Sequence, residues 1–205
     1  MKKVFHLLFA VVFLQFFTGT LYSGTIAAPR FDPSRYAGER WYGVYMMGEK
    51  IGYGRWQLRQ TTWKEETAWT AGLDLSYRLT LGGEKRKMSQ REERVYLPEK
   101  GLVRFSSENT SLLGKISAVG VRVKDRFIIT SGGSEKSLPA RKETLADYCA
   151  DMLLAGTNAP VGTAVSAEYL SPSLFQWVKI VHTVTAIEAV FLNGVTTRVH
   201  RIESS

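Results

Sequence analysis

Residues 73–81 read LDLSYRLTL. Leu73, Leu75, Tyr77, Leu79 and Leu81 alternate with Asp74, Ser76, Arg78 and Thr80. In an extended chain, successive side chains point to opposite faces, so this period of two makes a strand that is apolar on one side and wet on the other. Working outward, the same strand-like character recurs over residues 40–47, 51–62, 87–97, 102–107, 116–123, 126–130, 164–169, 175–185, 189–192 and 196–202. Between neighbouring runs stand Gly82-Gly83, Pro98 to Gly101, Lys124-Asp125 and Asn193-Gly194, which supply turn chemistry. One segment departs from the pattern. Over residues 141–154, Leu145, Tyr148, Cys149, Met152 and Leu153 recur at three- and four-residue spacing, which predicts an amphipathic helix ended near Gly156. The expected fold is mainly β (α+β): a curved antiparallel sheet or half-barrel with one amphipathic helix.

Residues 41–58, WYGVYMMGEKIGYGRWQL, predict a hairpin turning at Met47-Gly48-Glu49-Lys50. Gly52 and Gly54 share one face of the returning strand. Missing side chains there leave room for a bulge, a bend or a closely approaching aromatic such as Trp41 or Tyr45. Trp41, Tyr45, Gly52, Tyr53, Gly54 and Trp56 are accordingly the candidate binding residues. The aromatic load can fill the core of a curved sheet or line a groove for a lipid-like ligand or a partner's side chains.

The first residues are a separate matter. Met1-Lys2-Lys3, an apolar run from Val4 to Phe17 and the small, polar stretch TGTLYSGTIAA have the three-part layout of a secretory signal peptide over residues 1–28. An uncleaved anchor is the competing reading of the same segment. Residues 29–205 then form a single β-rich domain of 177 residues, long enough for one packed core. Nothing after the signal is apolar enough for a stable membrane span, and the expected location is periplasmic or secreted, in a bacterial cell envelope.

The whole chain has 27 basic and 19 acidic residues; without Lys2 and Lys3 the net charge falls from +8 to +6. These charges are scattered, and the one local cluster, Lys85-Arg86-Lys87, has Glu84, Glu92 and Glu93 around it. That reads as a solvated strand face, so nucleic acid is not expected as a partner. A single cysteine, Cys149, forms no internal disulfide, and the core must hold the fold. His182 and His200 lack neighbours at metal-ligand spacing, so neither a metal nor another cofactor is expected.

Arg40-Trp41-Tyr42-Gly43-Val44-Tyr45, followed by Gly48-Glu49-Lys50-Ile51-Gly52-Tyr53, resembles the opening of the β-rich region that precedes the catalytic domain in bacterial transglutaminase-like proteins. It is similar also to related exported domains of unknown function. The order that follows is similar too: long polar-apolar strands, the segment Gly101-Leu102-Val103-Arg104-Phe105-Ser106-Ser107, then Pro160-Val161-Gly162-Thr163 and a last pair of strands around Asn193-Gly194. The likeness covers most of residues 29–205, and its specific part is the GEKIGY hairpin. It implies a sheet resembling the half-barrel of lipoprotein carriers, placed ahead of a cysteine protease-like module.

Catalysis of that kind needs a cysteine at the start of a helix, a later histidine on a strand and an aspartate on the next strand to orient the imidazole. Cys149 and His182 have a tempting spacing. But Cys149 falls within its helix among Leu145, Met152 and Leu153, where a thiol is ordinarily inert core, and no aspartate follows Asp151. The expectation is a non-enzyme: an accessory or interaction module working beside a transglutaminase-like domain or another envelope protein. A carrier of an apolar ligand stands as the alternative, and a cryptic Cys-His enzyme comes third.

Overall fold

The structure, a computed structural model, describes residues 31–46, 49–81, 83–112, 114–156, 159–192 and 195–205. The expected signal peptide, the Met47-Gly48 part of the first turn and the Asn193-Gly194 turn lie outside the described residues. A short 3-10 turn, Pro33–Arg35, is capped by Asp32, whose carboxylate accepts from the Ser34 amide at 3.1 Å. The chain then enters β1 (Gly38–Met46), β2 (Glu49–Trp63), β3 (Glu66–Leu81), β4 (Glu84–Leu97), β5 (Gly101–Ser111), β6 (Gly114–Val123), β7 (Arg126–Ser131) and β8 (Ser134–Pro139). Each strand pairs antiparallel with the next, giving an eight-stranded meander whose edges are β1 and β8. The alternating stretch 73–81 lies within β3, paired with β2 on one side and β4 on the other.

The sheet is open: its edges do not pair, so no barrel closes. Register shifts at Val44/Tyr45 and Val95/Tyr96 bend the strands locally. The second sheet was not foreseen as separate. β9 (Ala164–Ser171), β10 (Gln176–Leu192) and β11 (Val195–Ser204) form three strands of their own in the order β11-β10-β9. β10 fuses the two expected runs 175–185 and 189–192 across an irregularity at Val184/Ala186. β8 went unseen because its sequence, SEKSLP, has only Leu138 against the core; an edge strand leaves one row of groups to solvent and has no need of alternation.

The expected helix over 141–154 is shorter and broken. Thr144 is its N-cap: the hydroxyl accepts from the Asp147 amide at 3.1 Å while the Asp147 carboxylate accepts from the Thr144 amide at 2.8 Å. α1 (Leu145–Tyr148) and α2 (Ala150–Gly156) meet at Cys149, whose φ of −104° and ψ of 20° leave the helical region. Residues 141–144 are thereby freed from the helix, and Glu143 enters the core from the non-helical chain before it.

The main core lies on one face of the large sheet. Trp56 and Leu58 of β2, Ala71 of β3, Phe105 of β5 and Phe127 of β7 pack with Leu145 and Cys149 of the helical segment and Leu170 of β9. The helices and β9 thus cover the inner face.

At the centre of that face is a charge cluster. Arg94, on β4 opposite Ala71 and Phe105, is 1% exposed, and Glu92 and Glu143 beside it are 5% and 0% exposed. The Glu143 carboxylate accepts from Arg94 Nη1 at 2.7 Å, from the Tyr96 hydroxyl at 2.5 Å and from the Leu170 amide at 2.6 Å. Arg94 also donates to the Leu170 carbonyl at 2.7 Å and to Glu92, with the rings of Tyr148 and Tyr169 at 4.9 and 5.7 Å. Glu92, expected on a solvated face, is therefore inside.

Two carboxylates face one guanidinium here. Burial works against the charge on Arg94, but Glu143, foremost among its neighbours, more than restores it and holds the guanidinium protonated. Burial also lifts the Glu143 carboxyl above its ordinary range, with Arg94, the Tyr96 hydroxyl and the Leu170 amide pulling the other way.

Glu143 is fixed by its backbone as well. Its carbonyl accepts from the Leu102 amide at 2.8 Å, and Gly101, at φ 72°, passes so close that a Cβ there would stand 2.3 Å from the same oxygen. One residue joins β4, β5 and β9.

Removing one partner of a buried ion pair strands the other in a low dielectric. Arg94→Met, which leaves Glu92 and Glu143 without their guanidinium, is expected to lower stability by about 3–5 kcal/mol in urea melts. Glu143→Gln keeps the shape and loses the charge, and should also destabilise. An Arg94→Met loss below about 1 kcal/mol would show that the cluster does not join the sheets.

Candidate functional site

The β1–β2 hairpin carries every candidate binding residue read from the sequence, and its register deals them to opposite faces. Trp41 pairs with Arg55 and Gly43 with Tyr53, which puts Trp41 and Tyr53 together on the outer face, away from the helices. Their ring centroids are 5.8 Å apart. The bulge at Val44/Tyr45 turns Tyr45 over Gly43, where a Cβ would meet its ring at 2.5 Å. Trp41, Tyr45 and Tyr53 are 60%, 64% and 51% exposed, and Met46 beside them is also exposed. They form an aromatic patch on the free edge of the sheet.

Trp56 goes the other way. It is buried in the main core, with the Arg40 guanidinium 5.3 Å from its ring. The two glycines serve close approach, but not by the residues anticipated. Gly54 pairs with Tyr42, whose ring occupies the space a Cβ would need, at 2.2 Å. Gly52 lies against β3, where a Cβ would stand 2.1 Å from the Ser76 carbonyl and 2.6 Å from the Tyr77 Cα. Trp41 and Tyr45 point to the opposite face and cannot fill either gap; the pairing register decides this. Burial, helped by Asp151 of α2, raises the Tyr42 pKa, which marks how close the helical segment comes to this side of the hairpin.

A polar ladder holds the outer patch in place. Glu39 accepts from the Trp41 indole at 2.5 Å, and Arg55 lies 5.8 Å from the Trp41 ring. Asp74 accepts from Arg55 Nε at 3.1 Å and from Arg91 Nε at 2.8 Å. Partial burial pushes the Asp74 pKa up, but the hydrogen bonds from Arg55 and Arg91 outweigh it and hold it below the ordinary aspartate value of 3.8.

The catalytic alternative finds its two residues apart in environment. Cys149 is fully buried in the main core, and burial, reinforced by Asp151, keeps the thiol protonated well above its ordinary range. His182, on β10, has Nδ1 2.9 Å from Ser204 Oγ of β11. Among the described residues no group of three or more His, Cys, Asp or Glu side chains is placed to hold a metal ion, and no helix is long and apolar enough to cross a membrane. A shallow pocket of about 210 Å³ lies beside the hairpin between Ile51, Tyr53, Tyr77 and Lys87.

Tyr42 was missed because aromatic residues at successive positions take opposite faces, and only the partner strand tells which ring meets which glycine. No protein-family model matches the chain, and comparison with curated proteins and with solved structures returned no match.

Gly52 faces backbone, which cannot give way, whereas Gly54 faces a ring that can swing outward. Gly52→Val should therefore cost roughly 1–3 kcal/mol or more in thermal melts, and Gly54→Ala clearly less. Equal and negligible effects would show that the close approach is incidental. A second expectation concerns acid. The folded pKa of Asp74 lies below its unfolded value, so its contribution is present above pH 3.8 and lost as pH falls through the folded pKa. In Asp74→Asn the fall of Tm below about pH 4 should be shallower than in the parent, and identical acid limbs would remove Asp74 from this role.

Proposed function

We propose that the chain is an exported, non-catalytic accessory module that docks another envelope protein, in the first instance a transglutaminase-like domain, through the outer face of its N-terminal hairpin. The observation that carries this reading is the patch of Trp41, Tyr45, Tyr53 and Met46 on the edge strand β1 and its neighbour, exposed yet held in one arrangement by Glu39, Arg55 and Asp74. Large aromatic side chains fixed at a surface supply contact area at low entropic cost, which is how interface anchors work. The resemblance of the same hairpin to the region ahead of transglutaminase-like catalytic domains supplies the partner class.

The edge itself supports the reading. β8, the far edge, is six residues long with Glu135, Lys136 and Pro139, the features that discourage strand addition. β1 is nine residues long, and neither lysine nor proline interrupts it. A partner can therefore use both the unpaired backbone of β1 and the rings beside it. The carrier alternative draws less support, because the inner face of the curved sheet is occupied by the helical segment, β9 and the Arg94 cluster.

The test is association of the purified mature chain with a transglutaminase-like domain from the same organism. Trp41→Ala and Tyr53→Ala are each expected to weaken it by about 1–2 kcal/mol with Tm little changed. Trp56→Ala should instead lower Tm. Unaltered association in the Trp41 and Tyr53 variants would move the interface elsewhere. Co-purification of a stoichiometric lipid with no protein partner would favour the carrier, and an amide-transfer activity abolished by Cys149→Ala would overturn the non-catalytic reading.

A further inference from the structure

Three hairpin loops meet at the end of the large sheet away from the β1–β2 turn. They are Lys64-Glu65 between β2 and β3, Pro98 to Lys100 between β4 and β5, and Lys124-Asp125 between β6 and β7. Between them lies a pocket of about 390 Å³ lined by Trp63, Lys64, Glu66, Leu97, Lys100, Val103, Arg122 and Lys124. Its composition is two-sided. Leu97 and Val103 belong to a small apolar cluster with Ala68 and Val95, separate from the main core, and Trp63 packs against it. Around that apolar floor stand four cations and one carboxylate.

The carboxylate is already committed, since Glu66 pairs with Lys100 at 2.7 Å. Arg122 is held in place by donating to the Lys100 and Lys124 carbonyls, which satisfies part of its fork and orients the rest. Lys64 lies 6.0 Å from the Trp63 ring. Among the described residues neither Lys64 nor Lys124 forms an ion pair. The pocket therefore has an excess of positive charge over an apolar, indole-walled floor.

The loops make the arrangement costlier than it need be. Lys64 has φ 47° and Lys124 φ 54°, a left-handed backbone where glycine or asparagine is ordinarily preferred in two-residue hairpin loops. Lysine is a poor choice for turn geometry at both positions, and both lysines reach the same pocket.

We propose that this pocket binds an amphiphilic anion, a phosphate or carboxylate group joined to an apolar chain, with Lys64, Lys124 and Arg122 taking the anion and Trp63, Leu97 and Val103 the apolar part. The chemistry is shared by a lipid headgroup at a membrane surface and by a free acyl or alkyl anion. The site is on different loops from the β1–β2 patch, so the two proposals stand or fall separately.

The turn geometry provides the test. Lys64→Asn and Lys124→Gly remove the cations while placing better residues in the loops, so Tm should hold or rise. Dodecyl phosphate below its micellar concentration is titrated calorimetrically into the full mature chain at low salt, with inorganic phosphate and dodecyl maltoside as headgroup-only and chain-only controls. One-to-one binding that weakens with added salt is expected, and each lysine variant should weaken it by about fivefold. Trp63→Ala should weaken it as well. Flotation with phosphatidylglycerol vesicles, against phosphatidylcholine vesicles, then distinguishes the sources: co-flotation lost in the lysine variants assigns the site to a membrane headgroup, and its absence assigns it to a free amphiphile. Binding no tighter than that of the two controls, or equal in parent and lysine variants, would overturn the proposal.

Discussion

A guanidinium with almost no contact with water is the constraint around which this fold is arranged. Arg94 leaves its strand on the apolar face, and a cation there is tolerable only if every donor finds an acceptor nearby. Glu92 supplies one from the same strand, Glu143 another from the segment before α1, and the Leu170 carbonyl a third from β9. Each of those acceptors has to be brought in by a different part of the chain. The Thr144 capping box starts the helix late enough to leave Glu143 outside it, and Gly101 lets β5 pass beside its carbonyl. The second sheet is thus tied to the first by charge-assisted hydrogen bonds at its first strand as well as by apolar packing.

The same open sheet presents two chemically different outer surfaces. At the β1 edge the rings of Trp41, Tyr45 and Tyr53 are set out by a bulge and braced by a ladder of alternating charges. At the opposite end of the strands, three turns gather cations over Trp63 and a few aliphatic side chains. An antiparallel meander puts alternate turns at opposite ends, so residues far apart in sequence gather at each end without any dedicated binding domain. The helices, β9 and the buried ion cluster fill the inner face, so both of these surfaces lie outside it.

Much of the strand pattern was legible because a half-buried strand must alternate, and β3 does so over LDLSYRLTL. Glu92 was misread for the same reason: with Arg94 it occupies an apolar-face position of β4, and charged residues in an apolar register look like errors of phase until their partners are known. The helical segment was recognisable from its spacing, but its start was not, since Arg141 to Glu143 have helix-compatible side chains and only the pairing of Thr144 with Asp147 sets the boundary. Of the hairpin candidates, the glycines were informative as a pair. Which rings they admit was beyond reach, because cross-strand contact depends on register.

By itself, then, the amino-acid sequence determined the local matters: extended chain where apolar and polar residues alternate, turns where glycine, proline or paired polar residues intervene, one helical stretch, and an aromatic-rich hairpin with room for close approach at Gly52 and Gly54. These follow from backbone sterics and side-chain period, which act over a few residues. Tertiary structure alone decided that β9 to β11 form a second sheet, that Trp56 is core while Trp41 and Tyr53 are surface, that Arg94 and Glu143 meet inside, and that Lys64, Lys100 and Lys124 share a pocket. Each of these is a pairing between segments distant in the chain, fixed by strand register and by the need of buried charges for partners, and no local preference carries that information.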